Sequence, residues 1–295
     1  MDTSYTDRQF KIGILLALLA SFMFSLKPIF IKEAYALGAS SEALMVLRMW
    51  FALPFYGVVL YLQRNQVKQN AQYLPTVMVI GFLGYFLSSY LDLLALESIS
   101  AQAERIILYA YPSLVVLLKA LYDRKMPSKK TLISMLIVYA GILILLPGEL
   151  NLTGSPVGII LMIICALTFA LYVIISKPMI SRMGVGVFTS TAMVSSILFT
   201  QIHFAKIDVV EVTSQPIAVY VLAIALAFFS TVIPSYAMSA AIEKIGSEKT
   251  AIAGTTGPVF TTILAVIFLG EVLTVNHVFG LTAVIIGVFL ISRKS

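Results

Sequence analysis

Ten apolar stretches, each close to the length of a membrane crossing, take up most of the chain. A helix needs about 17 to 25 apolar residues to cross a bilayer. Runs near 12–31, 43–62, 74–93, 104–122, 131–147, 156–176, 186–204, 217–240, 249–270 and 276–292 fit that length. Short connections join them, so little chain is left for a domain outside the membrane. Only 12% of residues are charged, against roughly a quarter in a soluble domain. The sequence therefore predicts an all-α integral membrane protein with ten transmembrane helices. Arg8 and Lys11 precede the first run as in a signal peptide, but its length and the nine runs behind it mark it as retained.

Lys and Arg in short loops set the orientation of such a chain. On the N-terminal side fall Arg8, Lys11, Arg64, Lys68, Arg124, Lys125, Lys129, Lys130, Lys177, Arg182, Lys244, Lys249, Arg293 and Lys294. The other side holds Lys32, Arg105 and Lys206. This asymmetry predicts both termini in the cytoplasm, in a multi-pass protein of a cell inner membrane. It also accounts for the formal charge of +6, so a nucleic-acid partner is not needed to explain it.

Displaced by 145 or 146 residues, the chain matches itself weakly but in order. Gly13, Phe24, Leu26 and Lys32 fall on Gly158, Phe169, Leu171 and Lys177. Ser89-Tyr90 falls on Ser235-Tyr236, and Ala95, Glu97 and Ile99 fall on Ala241, Glu243 and Ile245. Gly141 matches Gly287, and Pro112 matches Pro258. Pro147-Gly148 and Gly154-Ser155-Pro156 mark a break between the halves. Two five-helix repeats, 1–148 and 149–295, follow. Five is odd, so the second repeat enters from the opposite face.

Pro112 and Pro258 each interrupt an apolar run and delete the bond to the carbonyl of Leu108 or Gly254. Freed carbonyls survive in hydrocarbon only where protein or a water-filled cavity covers them. Paired broken helices in inverted repeats point to a substrate site at the midplane. Each proline lies about eight or nine residues into its run, ~12–14 Å deep at the helical rise.

These residues resemble the drug/metabolite transporter superfamily and, within it, the ten-helix EamA family. The resemblance rests on Gly257-Pro258-Val259-Phe260, Leu269-Gly270-Glu271, Gly280 and Gly287, and on the first-half stretch Glu104 to Pro112. Asp123-Arg124-Lys125 departs from the Leu-Gly-Glu triplet at the matching point. The resemblance implies export of small metabolites, often amino acids, from a cavity lined by helices 1, 3, 4, 6, 8 and 9.

Ionisable groups within spans are functional candidates unless they reach an interface. Lys119 and Arg48 are close enough to helix ends to snorkel. Lys27, beside Pro28, has three readings: a contact to a substrate carboxylate, a pair with Glu104, or a snorkelling lysine. Glu104 is either a coupling or gating carboxylate or an acidic residue favoured by a helix N-terminus; Asp92 and Glu97 compete for that role. Tyr85, Tyr109, Tyr111, Tyr172 and Tyr236 supply aromatic hydroxyls to an apolar cavity. Ser25, Thr168, Thr255 and Thr256 are further donors, though such side chains often bond back to their own helix. Ala283-xxx-Gly287 and Gly81-xx-Gly84 read as packing faces.

No enzyme is expected. His203 and His277 have no metal-ligand spacing, and no phosphate-cradling Gly-rich loop with its Lys occurs. The single cysteine, Cys165, rules out a cysteine-rich metal site, and no cofactor is expected. The predicted function is secondary transport, exporting amino acids or related metabolites by alternating access, by a monomer or homodimer. The alternative, export of cationic amphiphiles, requires a buried carboxylate in the cavity.

Overall fold

The computed structural model describes residues 3–99, 104, 107–108, 110–145, 156–205, 209–257, 259–260, 263–264 and 275–292, and among these the chain is helical with no strand. In chain order the first half holds α1 (Thr3–Ser25), α2 (Lys27–Ala36), α3 (Ser41–Leu62), α4 (Arg64–Gln69), α5 (Leu74–Gly81), α6 (Ser88–Ser98), α7 (Tyr111–Asp123) and α8 (Lys129–Leu145). The second half holds α9 (Pro156–Met183), α10 (Val185–His203), α11 (Val209–Thr213), α12 (Ile217–Ala227), α13 (Ile233–Gly254) and α14 (Val275–Ser292). Six helical stretches among the described residues are long and apolar enough to cross a membrane. The sixth, Ile217–Gly254, joins α12 and α13 and contains the non-helical Gly246, so it covers the eighth apolar run and the start of the ninth. Leu136, Val221 and Phe289 point outward from their helices, each more than half exposed. A bilayer solvates such faces; water does not.

The packing follows the internal repeat. Helix α1 lies on α13, and its repeat mate α9 lies on α6; α3 lies on α12, and α10 lies on α5. The pairs α3–α10 and α8–α14 join repeat mates directly. Individual contacts obey the same exchange. An added Cβ at Gly13 would come within 2.5 Å of Ile245, and one at Gly158 within 2.8 Å of Ile99. Gly141 faces Gly280 and Val284, while Gly287 faces Ser134 and Val138. The small residues of α14 therefore serve contact within the chain. Lys32 Nζ donates to the carbonyls of Leu96 and Ile99 at the end of α6, at 2.7 and 2.9 Å. Lys177 Nζ donates to the Glu243 carbonyl at 2.5 Å. Both lysines place a cation on orphaned carbonyls, a role beyond loop charge.

Three features absent from the sequence match repeat at the same displacement. Gly38 and Gly184 both take positive φ, 88° and 77°, at the turns into α3 and α10, where a Cβ would be strained. A π-helical turn covers Phe82–Leu87 in one half and Phe228–Val232 in the other. Both helix breaks tighten to three-residue bonds, Ala110 N–H to Ile107 O at 3.0 Å and Thr256 N–H to Ala253 O at 3.2 Å.

The charge asymmetry of the loops becomes spatial. Lys249 lies over the Phe10 ring, Lys244 bonds Gln9, Thr131 bonds Glu248 and Arg182 lies over Tyr73. The basic connections thus gather at one end of the bundle.

Candidate functional site

The first span is broken once. Leu26 N–H bonds Met23 O at 3.3 Å, and α2 restarts at Lys27-Pro28, since proline is tolerated in a first helical turn. Lys27 is thereby set on an offset helix segment facing α6. Helix α7 likewise restarts at Tyr111 with the buried Pro112 in its first turn. Tyr111 reaches across to α13, its Oη donating to Ala251 O at 3.2 Å. Its hydroxyl fills the space beside Gly254, where a Cβ would lie 2.2 Å from it. The α7 break in the first half therefore rests on the end of α13 in the second.

Gly254 carries the carbonyl that Pro258 cannot satisfy. Ser21 Oγ donates to it at 2.8 Å. Ser25 Oγ lies 2.8 Å from Ser21 O and 3.2 Å from Gly257 O, and Thr256 Oγ1 lies 3.1 Å from Ser21 Oγ. Serines four apart share one helix face, so α1 presents a row of hydroxyls to this broken helix. Replacing Ser21 by alanine should lower stability by about 1–3 kcal/mol, read as a fall in melting temperature of the purified protein. Ser25→Ala, which leaves the Gly254 carbonyl capped, should have the smaller effect.

Between the two halves lies a cavity of about 100 Å³. Its polar wall includes Lys27, Tyr85, Asp92, Glu104 and Tyr111, and Phe24 and Phe169 supply apolar surface. Lys27 Nζ and Asp92 Oδ2 form a direct ion pair, with Asp92 almost fully enclosed. Tyr85 stands in the first π turn and shares a 2.6 Å hydroxyl–hydroxyl bond with Tyr172. Inserted π turns re-aim side chains and are frequent at functional sites; Gly84 in this turn lets the Tyr172 ring approach.

Of the residues singled out from sequence, Lys27, Tyr85, Asp92, Glu104 and Tyr111 line this cavity. Ser25 is fully buried and braces the broken helix. Thr168, Thr255 and Thr256 bond back to Cys165 O, Ile252 O and Ala253 O, as threonines in apolar helices do. Tyr172 stands behind Tyr85, and Tyr236 bonds Ser190 at 2.6 Å. None of these six is on the cavity wall. Tyr109 and Pro258 lie outside the described residues.

One expectation needs correction. Arg48 does not snorkel; it is 3% exposed because α3 packs on both α10 and α12. The carboxylates Asp92 and Glu104 are also buried, 2% and 1% exposed. Asp92 turns inward toward the Lys27 ammonium, a partner 65 residues away. Asp92 falls inside the apolar run 74–93, but nothing local names Lys27 as its partner. Lys119, by contrast, pairs with Asp123 at 2.6 Å and is partly exposed at its helix end, as snorkelling predicts.

The EamA-like transporter family model matches the chain twice, over residues 11–146 and 156–293. The chain belongs to the EamA-like transporter family. An uncharacterized transporter of Bacillus subtilis (strain 168), YcbK, is similar to it, 29% identical over 282 residues that cover 92% of this chain and 90% of that protein. A solved structure described only as a protein crystal structure overlays with a TM-score of 0.71 at 17% identity, covering 94% of this chain and 95% of its own. That likeness concerns the fold. Membership of the family makes this a membrane transporter, with a cavity walled by both of its EamA-like units.

Proposed function

We propose that the protein exports amino acids or related small zwitterionic metabolites by alternating access between two inverted five-helix repeats. Ten helices cross the inner membrane in this reading, and the basic end of the bundle, with both termini, faces the cytoplasm. The observation that carries it is the composition of the cavity: mainly apolar walls, an opposed Lys27 and Asp92, and the further carboxylate Glu104. An ammonium and a carboxylate on one small ligand match groups of opposite sign held close together. Reciprocal packing of the halves supports rocking about this point, and the broken helices are where irregular backbone is tolerated.

The buried carboxylates Asp92 and Glu104 also favour the second reading, export of cationic amphiphiles. Two features weigh against it. Lys27 neutralises Asp92, and about 100 Å³ falls below the roughly 300–1,000 Å³ of sites for drug-sized ligands.

Uptake into proteoliposomes with a panel of amino acids and other metabolites, with and without a pH gradient, tests the proposal. Flux of at least one zwitterion is expected; efflux of cationic dyes with no metabolite flux would reverse the order of the two readings. Alanine at Pro112 or Pro258 should impair flux more than membrane insertion, because each break shapes the cavity. Normal flux in both variants would remove the helix breaks from the mechanism.

A further inference from the structure

Behind Lys27 the main cavity adjoins a smaller one of about 30 Å³. Phe24, Lys27, Tyr85 and Ser89 belong to both walls, and the far side is formed by Arg48 with Ser230 and Thr231 of the second π turn. Arg48 is 3% exposed and faces this space. Its Nη2 rests on the Met45 thioether at 2.8 Å, and its Nε has no hydrogen-bond partner among the described residues. A thioether is a weak acceptor, and a guanidinium cannot shed its proton. Burying such a charge without a counter-anion is costly.

Asp92 is the carboxylate whose field reaches Arg48, yet Asp92 is already bonded by Lys27. Asp92 therefore lies within reach of both cations. The hydroxyls of Ser230 and Thr231 are directed to the carbonyls of Met23 and Leu226, which leaves Arg48, Lys27, Ser89 and the Tyr85 hydroxyl as donors to anything in the space. Its volume is about that of one water molecule or a chloride ion, or of a single carboxylate group.

We infer that this small cavity is a site for a compact anionic group, held by the Arg48 guanidinium and the Lys27 ammonium. The group is either the carboxylate of the transported molecule, entering from the main cavity, or a free halide. The first source rests on the transport reading above; the site itself does not. Arg48 thus belongs to ligand binding and not to the membrane interface.

The test uses the full-length protein in nanodiscs, with thermal unfolding followed at constant ionic strength as sodium chloride or sodium acetate replaces sodium sulfate. A saturable rise in melting temperature is expected with at least one of them. Arg48→Met and Lys27→Met should each raise the half-saturating concentration by at least about tenfold, the loss expected from removing one charge-assisted bond. Should Arg48→Met fail to fold, Arg48→Lys keeps the charge and should retain a weakened response, and Ser89→Ala should weaken it further from the shared wall. Acetate acting alone supports the substrate carboxylate as occupant, and chloride that competes with acetate supports a halide. No saturable response to either salt, or one unchanged across these variants, overturns the site. Flux measured in parallel separates the two ideas: metabolite flux without an anion response sinks only this site, and an anion response without flux sinks only the transport reading.

Discussion

Replacing Lys27 by methionine should destabilise the protein by about 3–5 kcal/mol, because the buried Asp92 then loses the ammonium bonded to its Oδ2. The ion pair joins the restarted first span to α6, with Asp92 almost entirely enclosed. Arg48 lies within electrostatic range of the same carboxylate and should move the loss toward the lower figure. Asp92→Leu should be damaging for the mirrored reason, since the largely buried Lys27 then loses its ion-pair partner. The double variant Lys27→Met, Asp92→Leu should recover much of the stability, because replacing a whole buried pair with apolar groups of similar volume is often neutral. Transport should not recover with it. Thermal unfolding of the purified variants, with flux in proteoliposomes, separates the two roles. A double variant as unstable as either single one would show that the pair's charges are not what matters for folding.

The second large effect is expected where the two helix breaks meet. Alanine at Gly254 would put its Cβ 2.2 Å from Tyr111 Oη. Tyr111 is 5% exposed and bonded to Ala251 O, so it has little room to withdraw. Overpacking of this kind costs about 1–3 kcal/mol, and here it would also push apart the two interrupted helices that border the cavity. Tyr111→Phe removes the clashing atom, and the next ring atom lies 3.5 Å away, an ordinary contact. Gly254→Ala alone should therefore lower melting temperature and flux, and adding Tyr111→Phe should restore part of both. The phenylalanine variant by itself should lose about 1 kcal/mol for its hydrogen bond. Purely additive losses in the double variant would refute this account of the contact.

Much of the architecture was legible because lipid imposes a simple rule on the chain. Long apolar runs, loop charges and a constant internal displacement are all one-dimensional signals. Gly13 and Gly158, or Lys32 and Lys177, could be paired from sequence, and each pair then makes equivalent contacts in the fold. Pro258 pointed to the Gly254 carbonyl as needing cover. The sequence could not say that Ser21, 233 residues away, supplies it.

The site was legible only in part. Lys27, Tyr85, Asp92, Glu104 and Tyr111 could be singled out as polar groups within apolar runs. Arg48 was read by its distance from a helix end, and that measure failed. Exposure depends on which face of a helix meets its neighbours, and helix ends alone do not reveal that. For the threonines the sequence offered two readings, and the structure shows the local one: their hydroxyls bond the carbonyl one turn back.

By itself, then, the sequence determined the solvent, the helices and the repeat, because hydrophobic length and periodicity act locally along the chain. Only the tertiary structure decided which charges are buried together, which hydroxyl covers the broken backbone and where the two cavities lie. Those outcomes depend on contacts between residues tens to hundreds of positions apart, set by how the two halves pack against each other.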